Sequence, residues 1–157
     1  MTARYIECLC LRQPLFAPRC NRALSEIFYN RSDDKFSRVF INCPITLNEY
    51  NEPISDFCFL KKDKKEFRGR HPKADEIDLI FETSDETVDF DRDMKIPLYA
   101  SAGIPEVWII NLVHDKIEMY SQPNGKMYNS VKTFRRDEIV KSEVLPEIVL
   151  EVDEILF

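Results

Sequence analysis

The chain has 157 residues, 44% of them hydrophobic and 32% charged, a composition that suits one soluble domain with a single core. A formal net charge of −6 argues against binding nucleic acid through overall charge alone. No window approaches the roughly 18 consecutive apolar residues of a membrane-spanning helix, and the opening MTARYIECLCLRQPLF lacks a signal-peptide pattern, so residues 1–157 are expected to form a single cytoplasmic domain.

In chain order, YIECLCL reads as a short strand. PRCNRALSEIFYN reads as a helix, with Ala23, Leu24, Ile27 and Phe28 at helical spacing. FSRVFINCPITL alternates well enough to be a strand, NEYNEP is a turn cluster, and ISDFCFL is a mostly apolar strand that carries Asp56. The five cysteines, Cys8, Cys10, Cys20, Cys43 and Cys58, are odd in number and irregularly spaced, which fits reduced buried thiols better than a disulfide framework or a zinc site.

A basic segment follows. KKDKKEFRGRHPK, Lys61 to Lys73, holds seven Lys or Arg against two acids, a local charge of +5 that leaves −11 for the remainder. Such a loop either contacts phosphate or is a solvated surface loop.

IDLIFETS is a continuous apolar run, as in a strand covered on both faces. SDETVDFDRDMKIPLYASAG reads as helix, with Ser84 or Asp85 as N-cap, acids in the first turn and Gly103 as the stop. Pro97 inside it predicts a kink or a second short helix. IPEVWIINL is another buried strand, so this stretch is a βαβ-like unit with parallel strands. KIEMYS and KMYNSVKTF form a hairpin with Asn124-Gly125 as the turn signal. The tail EVLPEIVLEVDEILF suggests a short strand and a terminal helical turn. Together these elements give an α/β fold with a mixed sheet flanked by helices.

Asp56 and Glu82 fall on two candidate neighbouring strands. A carboxylate in an apolar strand is costly unless paired or bound to metal, and a hard divalent cation relieves the repulsion between two of them. Mg²⁺ or Mn²⁺ needs only one or two protein carboxylates and activates water for attack on phosphorus. Lys95, on the helix after Glu82, could hold the phosphate or support the developing charge, with Asp91 and Tyr99 on the same face at i−4 and i+4. The bland alternatives are a chance strand-edge placement of the acids and an exposed Asp91–Lys95 pair. Trp108 reads as core or a dimer contact, and His114 as a turn residue. Three scattered glycines do not make a nucleotide-binding loop.

The segments NEPISDFCFL and Ile77 to Leu112, with the hairpin after them, resemble the Uma-two family of bacterial endonucleases, part of the PD-(D/E)XK, or restriction-endonuclease-like, superfamily. The resemblance covers roughly Pro18 to Phe157. It is carried most specifically by Glu82, Ser84, Asp91, Arg92, Lys95, Tyr99, Ala100, Gly103, Glu106 and Trp108. It implies a restriction-endonuclease-like fold, with Asp56 and Glu82 as Mg²⁺ or Mn²⁺ ligands. Lys95 would stand in for the superfamily lysine, whose usual place is Ser84 here, and Ser84 would shape the site. It further implies DNA as substrate, a homodimer able to cut both strands, and an acid on the first helix, for which Glu26 is the candidate, although its position reads first as an ordinary exposed one. The family's Pro-Asp is Ser55-Asp56 in this chain. With the acidic charge, that substitution motivates a second expectation: a catalytically weak or inactive nuclease-fold protein with an interaction or regulatory role.

Overall fold

The computed structural model describes residues 16–30, 39–61, 69–85 and 88–156. The expected N-terminal strand, Cys8 and Cys10, and most of the basic segment lie outside the described residues. Helix α1 is Phe16–Asn30. Strands β1 (Val39–Pro44), β2 (Ile54–Leu60), β3 (Ile77–Ser84), β4 (Glu106–Asn111), β5 (Lys116–Asn124) and β6 (Met127–Arg135) form one sheet in the order β1-β2-β3-β4-β5-β6. Only β3 and β4 run parallel; the other neighbours are antiparallel, as hairpin connections dictate. Two short strands, β7 (Ile139–Lys141) and β8 (Val149–Glu151), pair separately, and α3 (Val152–Ile155) follows.

The connection between the parallel strands is helix α2, residues 88–101. It opens as Val88–Phe90, widens into a π turn over Asp91–Lys95 and resumes as Ile96–Ser101. The physical reason lies in Pro97, which has no N–H and whose ring clashes with the carbonyl four residues back in a plain α-helix. The wider turn accommodates it: Ile96 donates its N–H to the carbonyl of Asp91, five residues back. Pro97 thus widens the turn and restarts the helix as expected, but Ser84 is not the N-cap. It still belongs to β3, and the described part of the helix opens at Val88.

Strand alternation divides the core. Phe57, Phe59, Leu79 and Phe81 face α1, packing on Leu24 and Phe28, with Trp108 stacked on Phe81 at 4.6 Å. Cys58, Ile80 and Ile109 face α2, packing on Ile96, Tyr99 and Ala100. Strand β4 is buried along its whole length, as its apolar run predicts. Trp108 is core: its indole N–H donates to Glu106 at 2.6 Å, and the other Glu106 oxygen accepts the backbone N–H groups of Glu143 and Val144, fastening the C-terminal segment to the sheet. Cys20, Cys43 and Cys58 are buried free thiols. Among the described residues no helix is long and apolar enough to cross a membrane.

Candidate active site

Asp56 enters near the start of β2 and Glu82 near the end of β3. The pair Phe57–Phe81 is the last registered one at this end, and continuing that register sets Asp56 opposite Glu82. The ladder changes character here. Thr83 donates its backbone N–H to Asp56 Oδ2 at 2.7 Å. Glu82 is 2% exposed. Helix α2 passes over this end of the sheet and supplies both donors to it: Lys95 Nζ lies 2.9 Å from Glu82 Oε2, and Tyr99 O–H donates to Glu82 Oε1 at 2.5 Å. Lys95 also reaches Asp91 Oδ1 at 3.3 Å, and the Ser84 hydroxyl donates to Asp91 Oδ2. The structure therefore gathers Asp56, Glu82, Lys95 and Ser84 around one place, with Asp91, Tyr99 and Thr83 completing it.

The charges are strongly coupled. Burial pushes the Glu82 carboxyl up to about 7; Lys95 pulls it down, Asp56 pushes it up and the Tyr99 hydrogen bond pulls it down. Burial also raises Asp56, opposed by the Thr83 N–H and Lys95 and aided by Asp91. Burial works against the Lys95 ammonium, but Glu82 and Asp91 outweigh it and hold the group above its ordinary value. Tyr99 is held well above its ordinary value by burial and by Glu82, so it is a neutral donor.

Among the described residues no three His, Cys, Asp or Glu side chains form a ready-made metal cluster. The donor set nonetheless suits a hard divalent cation. Asp56, Glu82 and Asp91 face a single ammonium, so full ionisation leaves an excess of two negative charges at a largely buried strand end. Asp56 and Glu82 would supply the one or two carboxylates that a cation such as Mg²⁺ requires.

A second polar cluster adjoins this one. Register carries the row from Glu82 through Ile109 to Glu118. Glu118 is bound by Arg92 at 2.8 Å, Lys116 at 2.7 Å and the Tyr120 hydroxyl at 2.7 Å. Burial raises its pKa, but these partners outweigh it and hold the carboxyl down to about 2. Beyond it, a cleft of about 430 Å³ opens between Val88, Arg92, His114 and Lys116. His114 sits in the turn after β4, its backbone N–H on Asn111 Oδ1.

Glu26 takes the ordinary exposed helix position, pairing with Arg22, and Asn21 is the α1 side chain that reaches the strand end, accepting from the Thr83 hydroxyl at 2.6 Å. No local signal marks Asn21, because its partner stands 62 residues away. The described ends of the basic segment, Lys61, Arg70 and Lys73, flank the opposite end of the β2–β3 hairpin. From Ile77 to Glu82 the strand rises about 17 Å. Arg70 there is held by both oxygens of Glu76, each at 2.7 Å.

Comparison with known proteins bears on the fold and the family. No curated protein matches the chain. Among solved structures, the crystal structure of a putative nuclease from Anabaena variabilis ATCC 29413 is similar, with a TM-score of 0.66 and 12% sequence identity, covering 91% of this chain and 81% of that one. At that identity the likeness is one of fold: a six-stranded mixed sheet flanked by helices, as in a nuclease structure. The family model described as "Putative restriction endonuclease", Uma2, matches residues 13–153, and the chain therefore belongs to the Uma-two (Uma2) family.

Proposed function

We propose that this protein is a divalent-metal-dependent endonuclease that hydrolyses phosphodiester bonds in DNA, working in the cytoplasm as a homodimer. The observation that supports this most is the 2.9 Å contact between Lys95 Nζ and Glu82 Oε2, which joins the crossover helix to the acidic strand end. Asp56 and Glu82 would hold Mg²⁺ or Mn²⁺, which when bound supplies an acidified water and a counter-charge for the phosphate. The Lys95 side chain is 22% exposed, so its ammonium would reach a phosphate oxygen from the helix side. Asp91 keeps that ammonium charged and aimed, and Ser84 in turn orients Asp91. Tyr99, held as a neutral donor, fixes the Glu82 rotamer.

The family and the fold support a nuclease; the metal, the substrate and the residue roles are ours. They are tested by nicking of supercoiled plasmid in low salt with Mn²⁺. Wild type should nick, and Glu82→Ala and Lys95→Ala should not. A second reading, a nuclease fold kept for interaction rather than cleavage, is favoured by one observation: both Glu82 oxygens already have protein partners. An inactive wild type whose thermal unfolding is unmoved by Mn²⁺ would select that reading.

A further inference from the structure

Helix α1 touches the metal-binding end of the sheet through a polar junction rather than through apolar packing alone. The Thr83 hydroxyl donates to Asn21 Oδ1 at 2.6 Å. With its carbonyl oxygen engaged by Thr83, which also holds Asp56, the Asn21 amide has its N–H₂ left over for the Asp56 carboxylate beside it. Thr83 holds the same carboxylate through its backbone N–H at 2.7 Å. The neighbouring Cys20 thiol is buried and hydrogen-bonded to Thr83, and burial above all pushes it up to about 12, so it stays neutral. Asp56 is thus restrained from two directions by neutral donors. Of the charged groups around it, Lys95 attracts it while Glu82 and Asp91 repel it. Since Asp56 is only partly buried, an unrestrained carboxylate would relieve that repulsion by turning towards solvent.

We infer that Asn21 is a positioning residue for the metal site, aiming Asp56 at the cation and tying that aim to the seating of helix α1. The inference rests on the proposed role of Asp56 as a metal ligand. Groups that orient metal-binding carboxylates characteristically change affinity about 10- to 100-fold when removed.

The test is calorimetric titration of the full chain with Mn²⁺ alone, for wild type, Asn21→Leu, Thr83→Val and Arg22→Ala. Leucine keeps the shape of asparagine without its polar atoms, and valine keeps the Thr83 backbone donor while removing the hydroxyl that orients Asn21. Arg22 lies on the exposed side of the same helix and serves as the control. The expected result is affinity at least about tenfold weaker in Asn21→Leu, a smaller loss in Thr83→Val and none in Arg22→Ala. If Asn21→Leu does not fold, Thr83→Val decides. Wild-type affinity in both site variants overturns this inference alone. A loss shared equally by Arg22→Ala shows general helix docking and also overturns it. Absence of Mn²⁺ binding by wild type removes both this inference and the metal role of Asp56.

Discussion

Replacing Glu82 by glutamine should flatten the pH dependence of stability in the metal-free protein. The carboxyl titrates near 4.5 when unfolded and near 7 when folded, chiefly because burial penalises its charged form. The folded state therefore holds the proton more tightly, so this group's contribution is full below pH 4.5 and is lost as pH rises through about 7. At about 1.4 kcal/mol per pKa unit, the loss is roughly 3 kcal/mol. Asp56 and Glu106 shift in the same direction, so wild type alone does not isolate Glu82. Glu118 is held to about 2 and titrates below the working range. The measurement is guanidinium denaturation in chelator at several pH values between about 5 and 8, followed by the fluorescence of Trp108. Wild type should lose stability across that range, and Glu82→Gln should lose less by roughly 3 kcal/mol. The variant's absolute stability will also move, because an amide faces two donors where a carboxylate stood; the slope is the readout. Equal slopes in the two proteins would refute the placement of a buried, proton-retaining carboxyl at this strand end. Added Mn²⁺ should stabilise wild type most at the alkaline end, where the cation no longer competes with a proton.

Lys95→Met should abolish nicking and destabilise the protein by about 3–5 kcal/mol above pH 7, since Glu82 and Asp91 lose their cation; acid should relieve part of that cost, which denaturation at two pH values would show. Phe81→Ala removes the ring stacked on Trp108 and packed against Phe57 and Phe59, and should cost about 3–5 kcal/mol in the same assay. Glu106→Ala leaves the indole N–H and two backbone N–H groups without their acceptor. A loss of at least about 2 kcal/mol is expected, with faster amide exchange at Glu143 and Val144.

Strands β2, β3 and β4 and the β5–β6 hairpin were legible in the sequence because their signals are local: apolar runs bounded by turn residues. Even so, the hairpin turn centres one residue later than Asn124-Gly125 suggests, on Gly125 and Lys126, because Asn124 still pairs with Met127. Gly125 supplies the positive φ, +61°, that this turn needs. Strand β7 escaped notice because Ile139 and Lys141 are exposed and only Val140 is buried, too short a pattern to separate from a loop. At the site, Glu82 and Lys95 could be linked from sequence, since a short crossover returns the helix over its own strand. The Asp91–Lys95 pair was visible in its spacing, but the bond from Ser84 to Asp91 and the partners of Asp56 were not. Ser84 looked like a helix cap because capping and carboxylate binding use the same hydroxyl. Asn21 depends on how α1 lies across the sheet, which neither periodicity nor spacing specifies.

The widened turn in α2 has a geometric consequence for chain length. One additional residue in a helical turn rotates everything upstream by about 100° relative to an unbroken α-helix. Arg92 is thereby turned away from the Tyr99 face while Asp91 comes round to it, and one helix can serve two separate carboxylates, Glu82 and Glu118, on different strands. Deleting the exposed Met94 would bring the two halves back into phase, set the Pro97 ring against a carbonyl and carry Arg92 away from its partner. The crossover helix tolerates changes of side chain at that position far better than a change in its residue count.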